Sequence, residues 1–226
     1  MCGRFTIISD PVVYQMEFDI KLDEDIKQDW KQRYNVAPTQ SIPVLQSGAA
    51  RSVSMMQWGL LPAWAARSKK PFNLINVRAE TIREKPYFKG LVERGKRCLI
   101  FADGFYEWQP PAGRGMPKIP YYFQRKDNKP FAFAGVWESS PAGEQSANTC
   151  AIITCPPNPL VAEVHNRMPV MLEPAAGREW LAQKPVNELL AMLAPFPSEP
   201  LQAFPVSRLV NNPSADSPQC ILPAQP

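Results

Sequence analysis

Histidine is almost missing from this sequence: among 226 residues there is one, His165. Any imidazole chemistry must use that side chain. Cysteine is scarce and unpatterned. The five cysteines, Cys2, Cys98, Cys150, Cys155 and Cys220, are odd in number and lack paired spacing. That excludes a disulfide framework and the clustered His and Cys ligands of a zinc site, so no metal is expected. No cofactor is expected either. No apolar run approaches the ~18–20 residues that span a bilayer, so no membrane partner is expected. The opening MCGRFTIISD lacks the charged-then-apolar pattern of a secretory signal, and the expectation is a cytoplasmic protein with reduced thiols. Neither sign of charge dominates. Lys+Arg 25 against Asp+Glu 21 gives a net charge of +4, which permits a polyanionic partner without requiring one.

Proline is abundant: 26 residues, about twice the usual share of roughly 5%. That points to many short elements joined by fixed turns and argues against a long helical bundle. A chain of this length with 45% hydrophobic and 20% charged residues buries one full core. Strands are expected at 3–8, 42–47, 52–58, 72–80, 119–125, 130–137, 149–155 and 201–207, and on both sides of a turn at Asp103-Gly104. The pair 119–125 and 130–137 reads as a hairpin, and 149–155 as a central strand. Asp10-Pro11 predicts a helix to about Phe18, and Pro86 with Gly95 predicts one over 86–94. Further helices are expected after Pro157, from Pro174 to about Gln183 and over 186–193. Residues 33–40 and 139–148 read as loops, and 212–226 as a Pro-rich tail. The sum is a single mixed domain rich in antiparallel strands.

Four places carry chemistry. Removal of Met1 would leave Cys2 with an amine and a thiol two carbons apart, a pair that closes on an aldehyde to a thiazolidine ring. An α-amine near 7.7–8.0 is about 10–20% neutral at pH 7, and a thiol near 8.5 supplies a few per cent thiolate. The plainer reading is that position 2 holds a small residue for the processing enzyme. His165 lies where a helix ends and a strand follows, a place that also suits a capping residue. Glu107, between Tyr106 and Trp108, shares a strand face with Phe105; it is either solvated at an edge or a buried acid put to use. In INVRAE, Asn76, Arg78 and Glu80 share a face suited to phosphate or sugar, or one that merely meets water. Arg4 adds a cation near Cys2. Trp58, Trp64 and the basic ARSKK stretch (66–70) offer ring faces and charge on which bases stack, unless the rings are core.

Seven segments join these places: MCGRF, RYNVAP, WGLLPAW, INVRAET, RCLIFADGFYEW, HNRMPV and FPVS, in that order over about residues 2 to 211. In this the chain resembles the SOS-response-associated-peptidase family, the abasic-site shields. The resemblance implies an α+β fold, a barrel-like, mostly antiparallel mixed sheet with short flanking helices. It implies that Cys2 captures the ring-opened aldehyde of an abasic site in single-stranded DNA as a thiazolidine crosslink. By the same resemblance Asn76 positions the N-terminal residue and the sugar, Glu107 moves protons, and His165 is an acid/base near the opened sugar. Arg4, Arg78 and Arg167 match phosphate contacts, and Trp58 and Trp64 a DNA-binding wall. The family name records a peptidase activity, one reading of which is self-removal of Met1. The expected partner is single-stranded DNA, and the expected state a monomer. The competing expectations are a cysteine hydrolase with an N-terminal nucleophile and a non-catalytic single-strand-binding module.

Overall fold

Proline marks where helices begin. The computed structural model describes residues 2–224 apart from 49–52, 63–64, 66–72, 112, 114 and 143–144. Its helices are α1 (Pro11–Phe18), α2 (Glu24–Asp29), α3 (Ala79–Glu84), α4 (Pro86–Glu93), α5 (Pro159–Ala162), α6 (Pro174–Leu181) and α7 (Val186–Ala191). Of these, α1, α4, α5 and α6 open on proline, whose fixed φ and missing N–H suit the first turn. The Asp10 carboxylate accepts from the Val12 N–H at 2.8 Å and caps α1 as its sequence predicts.

The strands are β1 (Arg4–Ile7), β2 (Arg33–Val36), β3 (Ser41–Gln46), β4 (Val53–Trp58), β5 (Asn76–Arg78), β6 (Arg97–Ala102) and β7 (Gly104–Gln109). They continue with β8 (Ile119–Arg125), β9 (Phe131–Ala142), β10 (Gln145–Cys155), β11 (Met168–Pro169), β12 (Met171–Leu172) and β13 (Leu201–Pro205). One sheet runs β13-β8-β7-β1-β2, antiparallel throughout. In the other, β10, β4, β3, β6 and β9 pair in turn, and β9 pairs back to β10, closing a five-stranded barrel. Only β4 and β5 run parallel to β10. The α+β class and the barrel-like mixed sheet with short helices are as expected. The apolar run at 97–102 is buried at every position. Its Phe101 meets Tyr14, Phe18 and Trp30 at centroid distances of 5.1–5.3 Å, which packs α1 on the barrel.

Several local expectations are corrected. Arg33–Val36 is a strand, not a loop, because it covers the edge of β1 (Phe5 opposite Val36). The stretches 119–125 and 130–137 are consecutive but not a hairpin: β8 pairs with β7 and β13, and β9 with β6, β10 and β12. The loop expected over 139–148 continues the strands, with Ala142 opposite Gln145. The strand expected over 72–80 is confined to Asn76–Arg78, where the chain turns into α3. The expected tail is docked. Cys220 is fully buried, Val206 bridges to Pro223, and the Asp216 carboxylate accepts from the Asn35 N–H at 3.0 Å and pairs with Arg33.

Gly135 lies in β9 between Cys98 of β6 and Ile152 of β10. A Cβ there would stand 2.8 Å from Cys98 Sγ and 3.0 Å from the Ala151 carbonyl oxygen. Gly135→Ala is expected to destabilise the fold by about 1–3 kcal/mol, seen as a lower urea midpoint with unchanged slope. An unchanged midpoint would show that the barrel wall yields.

Candidate active site

The sheet order decides which side chains meet. β1 lies between β2 and β7, with Arg4 opposite Tyr106 and Phe5 opposite Phe105. Cys2 is separated from β1 only by Gly3, and the Glu107 charge acts on its thiol. Asn76 comes from the barrel side, on β5 opposite Ile152 of β10. Its Nδ2 donates to the Cys2 carbonyl at 2.8 Å, a bond that fixes the terminal residue. His165 follows α5, and its N–H donates to the Val161 carbonyl at 2.8 Å. Its Nε2 stands 3.7 Å from Glu107 Oε2. Cys2, Asn76, Glu107 and His165 therefore converge, drawn from both sheets and one helix end.

Burial sets the electrostatics. Glu107 is in a central strand rather than at an edge, and its residue surface is 2% exposed. That burial pushes its carboxyl up to about 7, against 4.5 for an ordinary glutamate. Burial holds the His165 imidazole below its ordinary value, which favours the neutral ring. His165 Nδ1 lies 3.1 Å from the Arg167 N–H and 3.2 Å from the Arg167 carbonyl oxygen, so that one residue meets Nδ1 in either tautomer, while Nε2 faces Glu107. With the ring neutral, the 3.7 Å approach is a polar contact rather than an ion pair at neutral pH. The Cys2 thiol is fully buried and pushed up, by desolvation first and then by the Glu107 charge. This corrects the expectation of a ready supply of thiolate: the sulfur needs a base, and the nearby carboxylate near neutral pKa is one.

Sequence reasoning missed Lys118, which is exposed at the end of the loop before β8. Its charge adds a small downward pull on the Glu107 carboxyl and on the His165 imidazole. The signal was present: a lysine just before Ile119, which pairs with Gln109 at the end of the Glu107 strand.

The cations divide. Arg78 is exposed, on the same strand face as Asn76, and makes no hydrogen bond or ion pair among the described residues. Arg4 is committed elsewhere: its guanidinium donates to Asn35 Oδ1 at 2.8 Å and to the carbonyls of Val210 and Asn211 at 2.6 and 3.3 Å. Arg167 forms a two-pronged pair with Glu80 at 2.8 and 3.0 Å and donates to the Thr154 carbonyl at 2.7 Å. That pair holds the Glu80 carboxyl below the usual carboxylate range. Trp58 corrects an expectation. It is fully buried, donates to the Ile75 carbonyl at 2.9 Å and packs edge-on against Phe5 at 5.0 Å, so its ring is core and offers no face to a base. Trp64 and the ARSKK stretch lie outside the described residues. Among the described residues no group of three His, Cys, Asp or Glu side chains is placed to hold a metal ion. No described helix is long and apolar enough to cross a membrane.

The family model described as SOS response associated peptidase (SRAP) matches residues 1–213. The abasic site processing protein YoqW of Bacillus subtilis (strain 168) is 41% identical, over 98% of this chain and 99% of its own. The abasic site processing protein HMCES of Gallus gallus is 32% identical, over 87% of this chain and 67% of its own. A crystal structure of a protein from Bacteroides thetaiotaomicron superposes with a TM-score of 0.84 at 25% identity, covering 99% of this chain and 100% of that one.

Proposed function

As this chain belongs to the SOS response associated peptidase family, we propose that it processes abasic sites by capturing them covalently through Cys2. The substrate is the ring-opened aldehyde of an abasic site in single-stranded DNA. One observation carries the reading: Asn76 holds the Cys2 carbonyl at 2.8 Å beside Glu107, a buried carboxyl whose pKa is raised to about 7.

Once Met1 is removed, the Cys2 amine attacks the aldehyde carbon to give a carbinolamine. Protonated Glu107 gives its proton to the departing hydroxyl, water leaves, and an iminium that keeps its N–H remains. The carboxylate so formed takes the proton from the Cys2 thiol, and sulfur bonds to the iminium carbon as the C=N electron pair moves onto nitrogen and cancels its charge. The net change is one water lost and one thiazolidine formed. A carboxyl near pKa 7 serves both steps at neutral pH because both of its forms are populated. His165 presents Nε2 toward the opened sugar as an acid/base, and Asn76 keeps the terminal residue in place. Arg78, exposed and uncommitted, takes a DNA phosphate. Arg167 and Arg4 act as positioning residues. Arg167 braces the loop after His165 against α3, and Arg4 anchors the strand behind Cys2.

The test uses the Met1-free protein and an oligonucleotide with one abasic site. A denaturing gel and intact mass spectrometry are expected to show a heat-stable adduct of protein plus DNA minus one water. Tight binding without an adduct would reduce the protein to a single-strand-binding module, and the proposal would fall.

A further inference from the structure

A sizeable cavity among the described residues lies away from the Cys2 site. It has a volume of about 500 Å³ and opens between the end of β3, the start of β6 and the C-terminal turn of α6. None of Cys2, Asn76, Glu107 and His165 lines it. Its apolar wall is Phe18, Leu45, Leu99 and Leu181, and three arginines face it: Arg94, Arg97 and Arg178. No Asp or Glu stands among its described lining residues.

Arg97 explains itself. Its residue surface is 4% exposed, and it donates to the carbonyls of Val92 (2.7 Å), Trp180 (2.8 Å) and Ala182 (2.8 Å). These are the last carbonyls of α4 and α6, groups that a helix leaves unsatisfied and that carry partial negative charge. With those carbonyls taken, Arg94 and Arg178 are not needed as caps. Both are exposed, and neither makes a hydrogen bond or ion pair among the described residues. Arg94, whose guanidinium reaches back over Gly90 of α4, and Arg178 therefore line one concave surface with Arg97 buried beside them, and no Asp or Glu among the described lining residues balances their charge. Beside them lies an apolar wall of the size that receives a small organic molecule.

We infer that this cavity binds a small organic phosphate with a partly apolar body, of the size of a nucleoside monophosphate. Guanidiniums pair with phosphate oxygens through two parallel hydrogen bonds, while the leucines and Phe18 receive a flat ring. The site is independent of the covalent chemistry at Cys2.

Calorimetric titration of the full-length protein with deoxynucleoside monophosphates tests this, with the matching nucleosides and inorganic phosphate as controls. The monophosphates are expected to bind, and the nucleosides to bind at least about tenfold more weakly. Arg94→Ala and Arg178→Ala, both at exposed positions, are each expected to weaken binding about tenfold while crosslinking and thermal midpoint stay unchanged. Cys2→Ala is expected to bind the monophosphates as the parent does, which separates this site from the proposed reaction. No heat of binding, equal binding of nucleoside and nucleotide, or indifference to both arginine substitutions would overturn the inference. So would displacement by an unmodified oligonucleotide with the same arginine dependence, which would assign the arginines to the path of the DNA.

Discussion

Crosslinking by Glu107→Gln is expected to be slower than that of the parent by about a hundred- to ten-thousand-fold, with binding of intact single-stranded DNA nearly unchanged. The amide fills the same space but neither gives a proton to the leaving hydroxyl nor takes one from the buried thiol. The parent rate is expected to bend near pH 7, where the carboxyl titrates, and the variant should lack that bend. Stability should move the other way. In the folded protein Glu107 titrates at about 7, against 4.5 for the ordinary group, so between those values the native state holds the extra proton. Native stability therefore declines as pH rises from about 4.5 through 7, by roughly 3 kcal/mol on the one-unit, 1.36 kcal/mol conversion. Glu107→Gln escapes this loss and is expected to be the more stable protein above pH 7, with the advantage fading below about pH 5. Denaturant melts at pH 5 and 8 measure it. A variant that crosslinks at the parent rate would remove Glu107 from the chemistry.

Cys2→Ala is expected to leave no heat-stable product at all, because ring closure needs the sulfur. The amine remains, so the variant should still form an imine, and borohydride should trap it as a stable secondary amine. Untreated samples should show free DNA after heating. The contrast divides the two nucleophiles of one residue. Absence of any borohydride-trapped adduct would mean that the amine does not attack first, and the order of steps proposed above would have to be reversed. Loss of fold is not an explanation available to either result if the variant keeps its thermal midpoint; the substitution removes one buried sulfur from the end of β1, where Phe5 and Ile7 continue the packing.

The features legible in the sequence were those fixed by local chemistry. Asp10-Pro11 opened a helix because a carboxylate and a ring without an N–H do so in any context. The apolar run at 149–155 was central because its composition leaves little to face water. What failed depended on partners distant in the chain. Nothing in RYNV reveals that β1 needs its edge covered. Nothing in the five residues between β8 and β9 says that the strands on either side join different sheets. At the site, Cys2, Asn76, Glu107 and His165 each have a plainer reading when taken singly, and the resemblance over seven segments is what singles them out; the structure sets Asn76 on Cys2 and His165 beside Glu107. Arg4, Arg167 and Trp58 read as surface contacts because a sequence does not display competitors. The Asn35 side chain, the Glu80 carboxylate and the Ile75 carbonyl claim their polar groups first. Glu80 also shows where strand alternation stops being a guide. It was placed on the face of Asn76 and Arg78, but the backbone has already turned into α3, from which it reaches Arg167.

The Arg4 guanidinium joins the strand behind Cys2 to residues 210 and 211, more than two hundred positions away. Asn35 adds bonds of 3.2 and 2.7 Å to the carbonyls of Val210 and Ala215, so the same knot holds the last segment of the chain. The segments around Arg4 and around Val210 are thereby one mechanical unit. A nonsense codon just after Ser207 would delete none of Cys2, Asn76, Glu107 and His165, yet it would release the strand that follows Cys2. Damage to residues 210–215 should be scored with damage at Cys2.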